Sequence, residues 1–393
     1  MIKLPEKPDR GGRPNRLLGA ALTAALLTGA CSTGLGGGDA GTAVDPSAGG
    51  SEPSPWETAA PASLGLDAAK LENVAAVAEK GKSDCLAVAR DGKLAGEWYF
   101  REGRREKAQP VWSATKSFTS VLVGIAQDDG ALSVDDKASK WIDEWKGTPA
   151  EEVTVRDLLS NVSGREWSFR TDYRRLLKAP DRTKFAIGLK QQHEPGKVWV
   201  YNNSAIQTLQ RVLQKATGKD VSRFAEERLF KPLGMSRTTM GTDRAGNAQT
   251  FMGINSTCRD MARFGQMMLE NGKWQGRQIV SAKYVEAATG RPSTKLNSAY
   301  GYLWWLNRPG TIRGPVAATD LGGAREPGAS KGPLVPGAPP QLFWALGLGN
   351  QLIQIDPETR TVVVRLGKTE PRPKPPTFGP AEASKVVTDA VTR

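Results

Sequence analysis

Ser113 and Lys116 are the residues of this 393-residue chain whose types and spacing most directly suggest covalent chemistry. They form the chain's one Ser-x-x-Lys, Ser113-Ala114-Thr115-Lys116. Three residues apart on a helix, the two side chains share a face and can touch. A serine at a helix start also meets unpaired backbone N–H groups and the positive end of the helix dipole. A partly buried lysine loses its proton near neutral pH, because desolvation penalises the ammonium. Four residues thus offer a nucleophile and a proton acceptor. The Ser-His-Asp alternative has one histidine to draw on, His193, within Gln191-Gln192-His193-Glu194-Pro195-Gly196. That setting reads as a turn.

Two later stretches extend the constellation. Tyr201-Asn202-Asn203 is the one Tyr-x-Asn in the chain. A tyrosine hydroxyl beside Lys116 can pass a proton to a leaving group, and the Asn203 amide can orient Lys116 or a substrate carbonyl. Gly347-Leu348-Gly349 closes a strand-like run, Phe343–Leu346. Glycine there permits close backbone approach. An N–H from that strand and the N–H of Ser113 can form an oxyanion hole.

These groups need elements to hold them. Asp67 begins a helical pattern with Leu71, Val74 and Ala78 on one face and Gly81 as the stop. Cys85–Ala89 and Leu94–Phe100 read as strands joined by the hairpin signal Asp91-Gly92. Ser113–Gln127 reads as a helix, with Phe118, Val121, Leu122 and Ile125 at helical spacing. Residues 135–290 are mostly helical. Strand patterns return at Tyr302–Leu306, Phe343–Leu346, Leu352–Ile355 and Thr361–Leu366, and Val386-Val387 with Ala390-Val391 suggest a closing helix. The expected fold is α+β: strands from both ends in one antiparallel sheet flanked by helices, with an all-helical subdomain inserted. Residues 308–341, rich in Pro and Gly, are expected to form a mobile loop.

Apolar residues at 39% and charged residues at 24% fit an ordinary globular body. The net charge of +13 reads as scattered surface charge. Without a basic block interleaved with aromatics, no nucleic-acid partner is expected. A basic stretch ending at Arg16, the uncharged run Leu17–Ala30 and then Leu27-Thr28-Gly29-Ala30-Cys31 read as a lipoprotein signal, with Cys31 lipidated. The expected domains are a signal peptide at 1–30, a flexible tether at 31–60 and a single catalytic domain at 61–393. The chain is then exported and membrane-anchored in the cell envelope. Export to an oxidising compartment permits a Cys85–Cys258 disulfide, but two buried thiols are the favoured expectation. Neither a metal nor a cofactor is expected.

In this order the motifs resemble the β-lactamase-related serine hydrolases: class C β-lactamases, family VIII esterases, D-aminopeptidases and, above all, 6-aminohexanoate-dimer hydrolases. The likeness runs from about residue 65 to 368. It is carried by VWSATKSFTSVLVGIAQDDGALSVDD, VTVRDLLSNVSG, the EPGKVWVYNNSAIQTLQRVLQ region, TCRDMARFGQMMLENGKWQGRQIVSAKYVEAAT and YGYLWWLN. The resemblance implies the serine β-lactamase/DD-peptidase-like fold and amide or ester cleavage through an acyl-enzyme on Ser113. Lys116 and Tyr201 would share acid–base work, Asn203 would position Lys116 or substrate, and the Gly347–Gly349 strand would supply the second oxyanion N–H. Two alternatives stand beside it: a penicillin-binding protein or β-lactamase acting on β-lactams or D-Ala peptides, and a non-catalytic envelope binding protein of the same fold. The family's late strand carries Lys-Thr-Gly or His-x-Gly. Here Leu346-Gly347-Leu348-Gly349-Asn350 offers no cation. That favours small esters and short amides or peptides over carboxylate-bearing substrates, unless Arg308, Arg313 or Arg325 substitutes.

Overall fold

The computed structural model describes residues 56–314, 329–369 and 375–392. The expected signal peptide, Cys31, nearly all of the tether and Arg325 lie outside the described residues. The catalytic body begins a little earlier than the sequence suggests. Trp56 is buried, donates its Nε1–H to Gly92 O at 2.7 Å and meets Trp274 edge to face. Residues 57 and 59 then hydrogen-bond to Leu94.

The first helix, α1 (Ala68–Lys80), starts where Asp67 caps the Lys70 N–H, and it buries Leu71, Val74, Ala75 and Ala78. Strands β1 (Ser83–Arg90) and β2 (Lys93–Tyr99) follow. Asp91 and Gly92 between them both have positive φ, the backbone of a tight hairpin turn. Helix α2 (Thr115–Asp128) leads into the inserted block. The chain returns through α3 (Cys258–Leu269) to β3 (Trp305–Leu306), β4 (Phe343–Gly347), β5 (Gln351–Asp356) and β6 (Thr361–Gly367). It closes with α4 (Pro380–Lys385) and the helical turn Val386–Ala390.

Strands from both ends of the chain form one six-stranded sheet, ordered β2-β1-β6-β5-β4-β3, and every pairing is antiparallel. Residue alternation divides its faces. Leu86, Val88 and Val363 pack with α1, α4 and Phe378 on one side. Cys85, Ala87, Ala89, Val362 and Val364 face the larger core that holds Phe118 and Phe264. Helix α3 lies directly on that face. A Cβ at Gly265 would come within 2.6 Å of Val362 and 2.8 Å of Ile353, so this contact needs glycine.

Three expectations change. The inserted block is mostly but not wholly helical: Gln109–Pro110, Thr239–Met240 and Ile254–Ser256 pair into a small antiparallel sheet. Within Tyr302–Leu306, Leu303 takes positive φ and bonds to Leu159 O, which leaves Trp305–Leu306 as the strand. In the expected loop, Gly310–Ile312 pairs with Ser330–Gly332, and Asn307 bonds to Val335, Ala338 and Pro339, so its described part is tied down.

Cys85 and Cys258 are joined as a disulfide. The expectation of two free thiols fails because β1 presents Cys85 on the core face that the first turn of α3 covers. The bond closes a long loop, and losing a native disulfide typically costs about 2–5 kcal/mol. Cys258→Ala should lower the urea unfolding midpoint, and reduced wild type should unfold like the variant. Equal midpoints for variant and oxidised wild type would show that the bond adds nothing.

Candidate active site

Ser113 lies in a short 3₁₀ turn two residues ahead of α2, not at the helix start that the sequence period suggests. Val111 donates to Ile254 O, which fixes the chain entering the site. Trp112 then takes φ of 49°, and Trp112–Ala114 form a single 3₁₀ turn before α2 begins. The reversal leaves Ser113 partly open while Ala114 and the residues after it are buried. Lys116 is 1% exposed. Its Nζ lies 2.8 Å from Ser113 Oγ and donates to Phe251 O at 3.0 Å.

Burial lowers the Lys116 pKa to about 7, with Asp172 pulling the other way. The same Nζ stands 4.7 Å from the centre of the Tyr201 ring. Tyr201 is buried, stacked on Trp305 at 5.7 Å and edge-on to Tyr300 at 6.2 Å. Burial pushes its phenol well above its ordinary pKa, hydrogen bonding with Ser113 opposes this, and Asp172 adds to the rise. Both proton-handling groups are therefore held near or in their neutral forms at neutral pH.

Asp172 is the site residue that sequence reasoning missed. Its carboxylate is buried and accepts from Asn203 N (2.7 Å), Ser204 N (2.8 Å) and Ser204 Oγ (2.6 Å). Asn202 caps the same short helix through Ala205 N and reaches back to Arg165 O and Glu166 O. Tyr201 is thus presented from a turn pinned on both sides. Burial raises the Asp172 pKa, while its Ser204 and Asn203 bonds and Lys116 lower it. No motif surrounds Asp172, so no sequence signal could have found it. Phe251 acts through a backbone carbonyl, which any residue type supplies.

Asn203 is buried, with Oδ1 free of any hydrogen bond. Lys116 bonds to Ser113 and Phe251 instead of Asn203.

The late strand meets the nucleophile turn at Gly347. A Cβ there would fall 2.0 Å from Val111 O and 3.2 Å from Ala114 N. Leu348 follows, 56% exposed, and Gly349 and Asn350 turn the chain with positive φ. Buried Gln351 bonds to Gly367 O and N, both at 2.8 Å, and to Thr369 Oγ1 at 3.3 Å. Thr369 Oγ1 accepts Trp112 Nε1–H at 2.8 Å. One chain of bonds therefore links the β4–β5 turn to the residue beside Ser113.

Other candidates lie apart from this cluster. His193 is exposed and bonds through its main chain to Gly164. Ser330 centres a Gly-x-Ser-x-Gly pattern at 328–332, but it sits in an exposed ribbon strand. A serine of that pattern acts from a strand-to-helix turn. Arg308 is spent on Pro340 O and Gly290 O.

Comparison with known proteins agrees with this arrangement. The family model described as Beta-lactamase matches residues 72–386. The 6-aminohexanoate-dimer hydrolase of Paenarthrobacter ureafaciens is 22% identical over 76% of this chain and 76% of its own. Penicillin-binding protein 4* of Bacillus subtilis (strain 168) is 29% identical over 32% of this chain, a stretch spanning 29% of that relative. The D-aminopeptidase of Brucella anthropi is 28% identical over 42% of this chain and 34% of its own. Among solved structures, the octameric penicillin-binding protein homologue from Pyrococcus abyssi superposes with a TM-score of 0.57 at 20% identity, over 82% of this chain and 77% of that one. A beta-lactamase from Mycobacterium bovis gives 0.57 at 19%, over 82% and 99%. These two show the fold. Since the matched residues run from α1 to the last turns of the C-terminal helix, taking in the sheet, the helical block and every residue of the cluster, the chain belongs to the Beta-lactamase family.

Proposed function

We propose that the chain is a serine hydrolase that cleaves amide or ester bonds through an acyl-enzyme on Ser113. The observation that carries this reading is Lys116, buried and within 2.8 Å of Ser113 Oγ. In its neutral form the amine takes the Ser113 proton as Oγ bonds to the substrate carbonyl carbon. Tyr201 keeps its proton at neutral pH, so it serves as the acid: it protonates the leaving amine or alcohol and recovers a proton from Lys116. Water then attacks the acyl carbon and gives a proton to neutral Lys116, the C–O bond to Ser113 breaks, and Lys116 returns that proton to Ser113 Oγ. The N–H groups of Ser113 and Leu348 are assigned to the carbonyl oxygen. The free Asn203 Oδ1 is assigned to a substrate N–H. A non-catalytic binding protein would have no use for a buried lysine kept near its neutral form.

The names of the relatives, a dimer hydrolase and a D-aminopeptidase, support amide cleavage. A penicillin-binding or β-lactamase activity is the second reading. It wants a cation for a carboxylate, and the late strand offers exposed Leu348 while Arg308 is engaged elsewhere. Uncharged small esters and short amides or peptides fit better. The disulfide supports export to an oxidising compartment. Together with the Leu17–Cys31 pattern it supports a lipid-anchored envelope protein.

Ser113→Ala should abolish ester turnover and labelling by a fluorophosphonate. Lys116→Ala and Tyr201→Phe should each lower kcat by about 10²–10⁴, and His193→Ala should leave it nearly unchanged. Because Lys116 must be neutral to accept a proton, wild-type kcat/KM should rise with pH and level off above about 7. A rate that falls across that range, or a severe His193→Ala defect, would replace this mechanism.

The substrate reading is checked by kcat/KM for a short-chain p-nitrophenyl ester and for nitrocefin on one preparation. The ester should be the better substrate, and parity would revive the β-lactam reading.

Cys31→Ser should move the protein from the membrane to the soluble fraction. Equal membrane association of both forms would exclude lipidation at Cys31 as the anchor.

A further inference from the structure

The segment that brings Asp172 to the site carries a basic face on its outer side. Residues 165–190 hold eight basic residues, Arg165, Arg170, Arg174, Arg175, Lys178, Arg182, Lys184 and Lys190, against Glu166, Asp172 and Asp181. All eight fall within one stretch of 26 residues, a local excess within a charge otherwise read as scattered. Arg165 and Asp172 are buried, so the surface excess is carried by the others. Among the described residues, Arg170, Arg174, Lys178, Lys184 and Lys190 have no ion-pair partner.

The cations surround apolar surface. An open hollow of about 710 Å³ is lined by Arg175, Lys178 and Lys184 together with Ala179, Phe185 and Leu189. The Arg175 guanidinium lies 5.2 Å from the Phe185 ring centre. Asp181 also lines the hollow, but one of its oxygens is taken by Lys184 N and Asn247 Nδ2. Beside the hollow, residues 171–178 form one helical run. Arg174, Leu177 and Lys178 stand three and four apart on it and share a face. Leu177 is 37% exposed, one of three large apolar side chains left so open among the described residues.

We propose that this face docks on an anionic lipid surface. Charge complementarity selects the occupant: unpaired cations meet the headgroup phosphates, while Leu177 and the apolar lining meet the acyl boundary. A bare polyanion would engage the cations and leave the apolar part idle. The docking rests on this face alone and needs neither a lipid at Cys31 nor catalysis at Ser113.

The test uses the full chain carrying Cys31→Ser, so that no acyl chain contributes. Co-sedimentation is measured with vesicles of phosphatidylcholine and of phosphatidylcholine mixed equally with phosphatidylglycerol. The protein should prefer the anionic vesicles, and R174E/K178E/K184E should weaken that binding by about 100-fold or more. K70E/K273E/K295E makes the same change in net charge at lysines elsewhere and should have a much smaller effect. Leu177→Asn, which removes the apolar contact without adding charge, should weaken vesicle binding but leave binding to long-chain polyphosphate unchanged. Thermal unfolding midpoints of all variants should match the parent, and a variant that unfolds early is replaced by its Gln or Ser counterpart. The proposal is overturned if the first triple variant binds as well as the parent, or if the control triple loses as much. It is also overturned if Leu177→Asn leaves vesicle binding intact, which would make this a general polyanion face.

Discussion

Burying the Lys116 side chain costs free energy unless the charge is paired or given up. Its hydrogen bonds go to neutral groups, Ser113 Oγ and Phe251 O. The ammonium is consequently destabilised enough to titrate near neutrality. The surroundings act to keep that state. Aromatic walls from Tyr201, Phe251, Tyr300 and Trp305 exclude water, while Asp172 limits the fall in pKa from one layer further out.

Holding a lysine in this condition demands a rigid mount, and α2 supplies it. Twelve of its residues, Thr115 to Ala126, are buried. Several are polar, and their hydroxyls are satisfied by distant partners: Thr115 by Ile254 N, Ser117 by Leu303 O, Thr119 by Thr250 O and Ser120 by the Tyr284 hydroxyl. Buried hydroxyls without partners would be costly. With partners, they fix the helix against the inserted block on several sides. Gly124 lets the Tyr284 ring lie against the helix, since a Cβ there would be 2.5 Å from the ring.

The opposite wall of the site is set by backbone contact. Gly347 brings β4 against the nucleophile turn, and Gln351, Thr369 and Trp112 tie the following turn to the same place. Buried Arg365 adds bonds to Ser83 Oγ, Gly81 O, Lys82 O and Asn350 O, and burial lowers its pKa to about 10. The sheet therefore does more than fill the core. It brings Gly347 of β4 against the turn that carries Ser113 and ties the β4–β5 turn to Trp112 through Gln351 and Thr369.

The sequence alone determined whatever depends on short range. Helical spacing marked α1 and α2, Asp91-Gly92 marked the hairpin, and Ser-x-x-Lys with Tyr-x-Asn marked side chains that meet around Ser113, because each pattern is complete within a few residues. Tertiary structure decided the rest. The carbonyl that Lys116 bonds to lies 135 residues away in sequence, and Asp172 lies 31 residues before the backbone N–H it accepts. Carbonyls look alike in every sequence, and an aspartate carries no mark of burial. The Cys85–Cys258 bond and the attachment of Trp56 likewise depend on which surfaces meet after folding. A one-dimensional pattern names the groups that can react; the packing of remote segments sets the dielectric and the distances that let them.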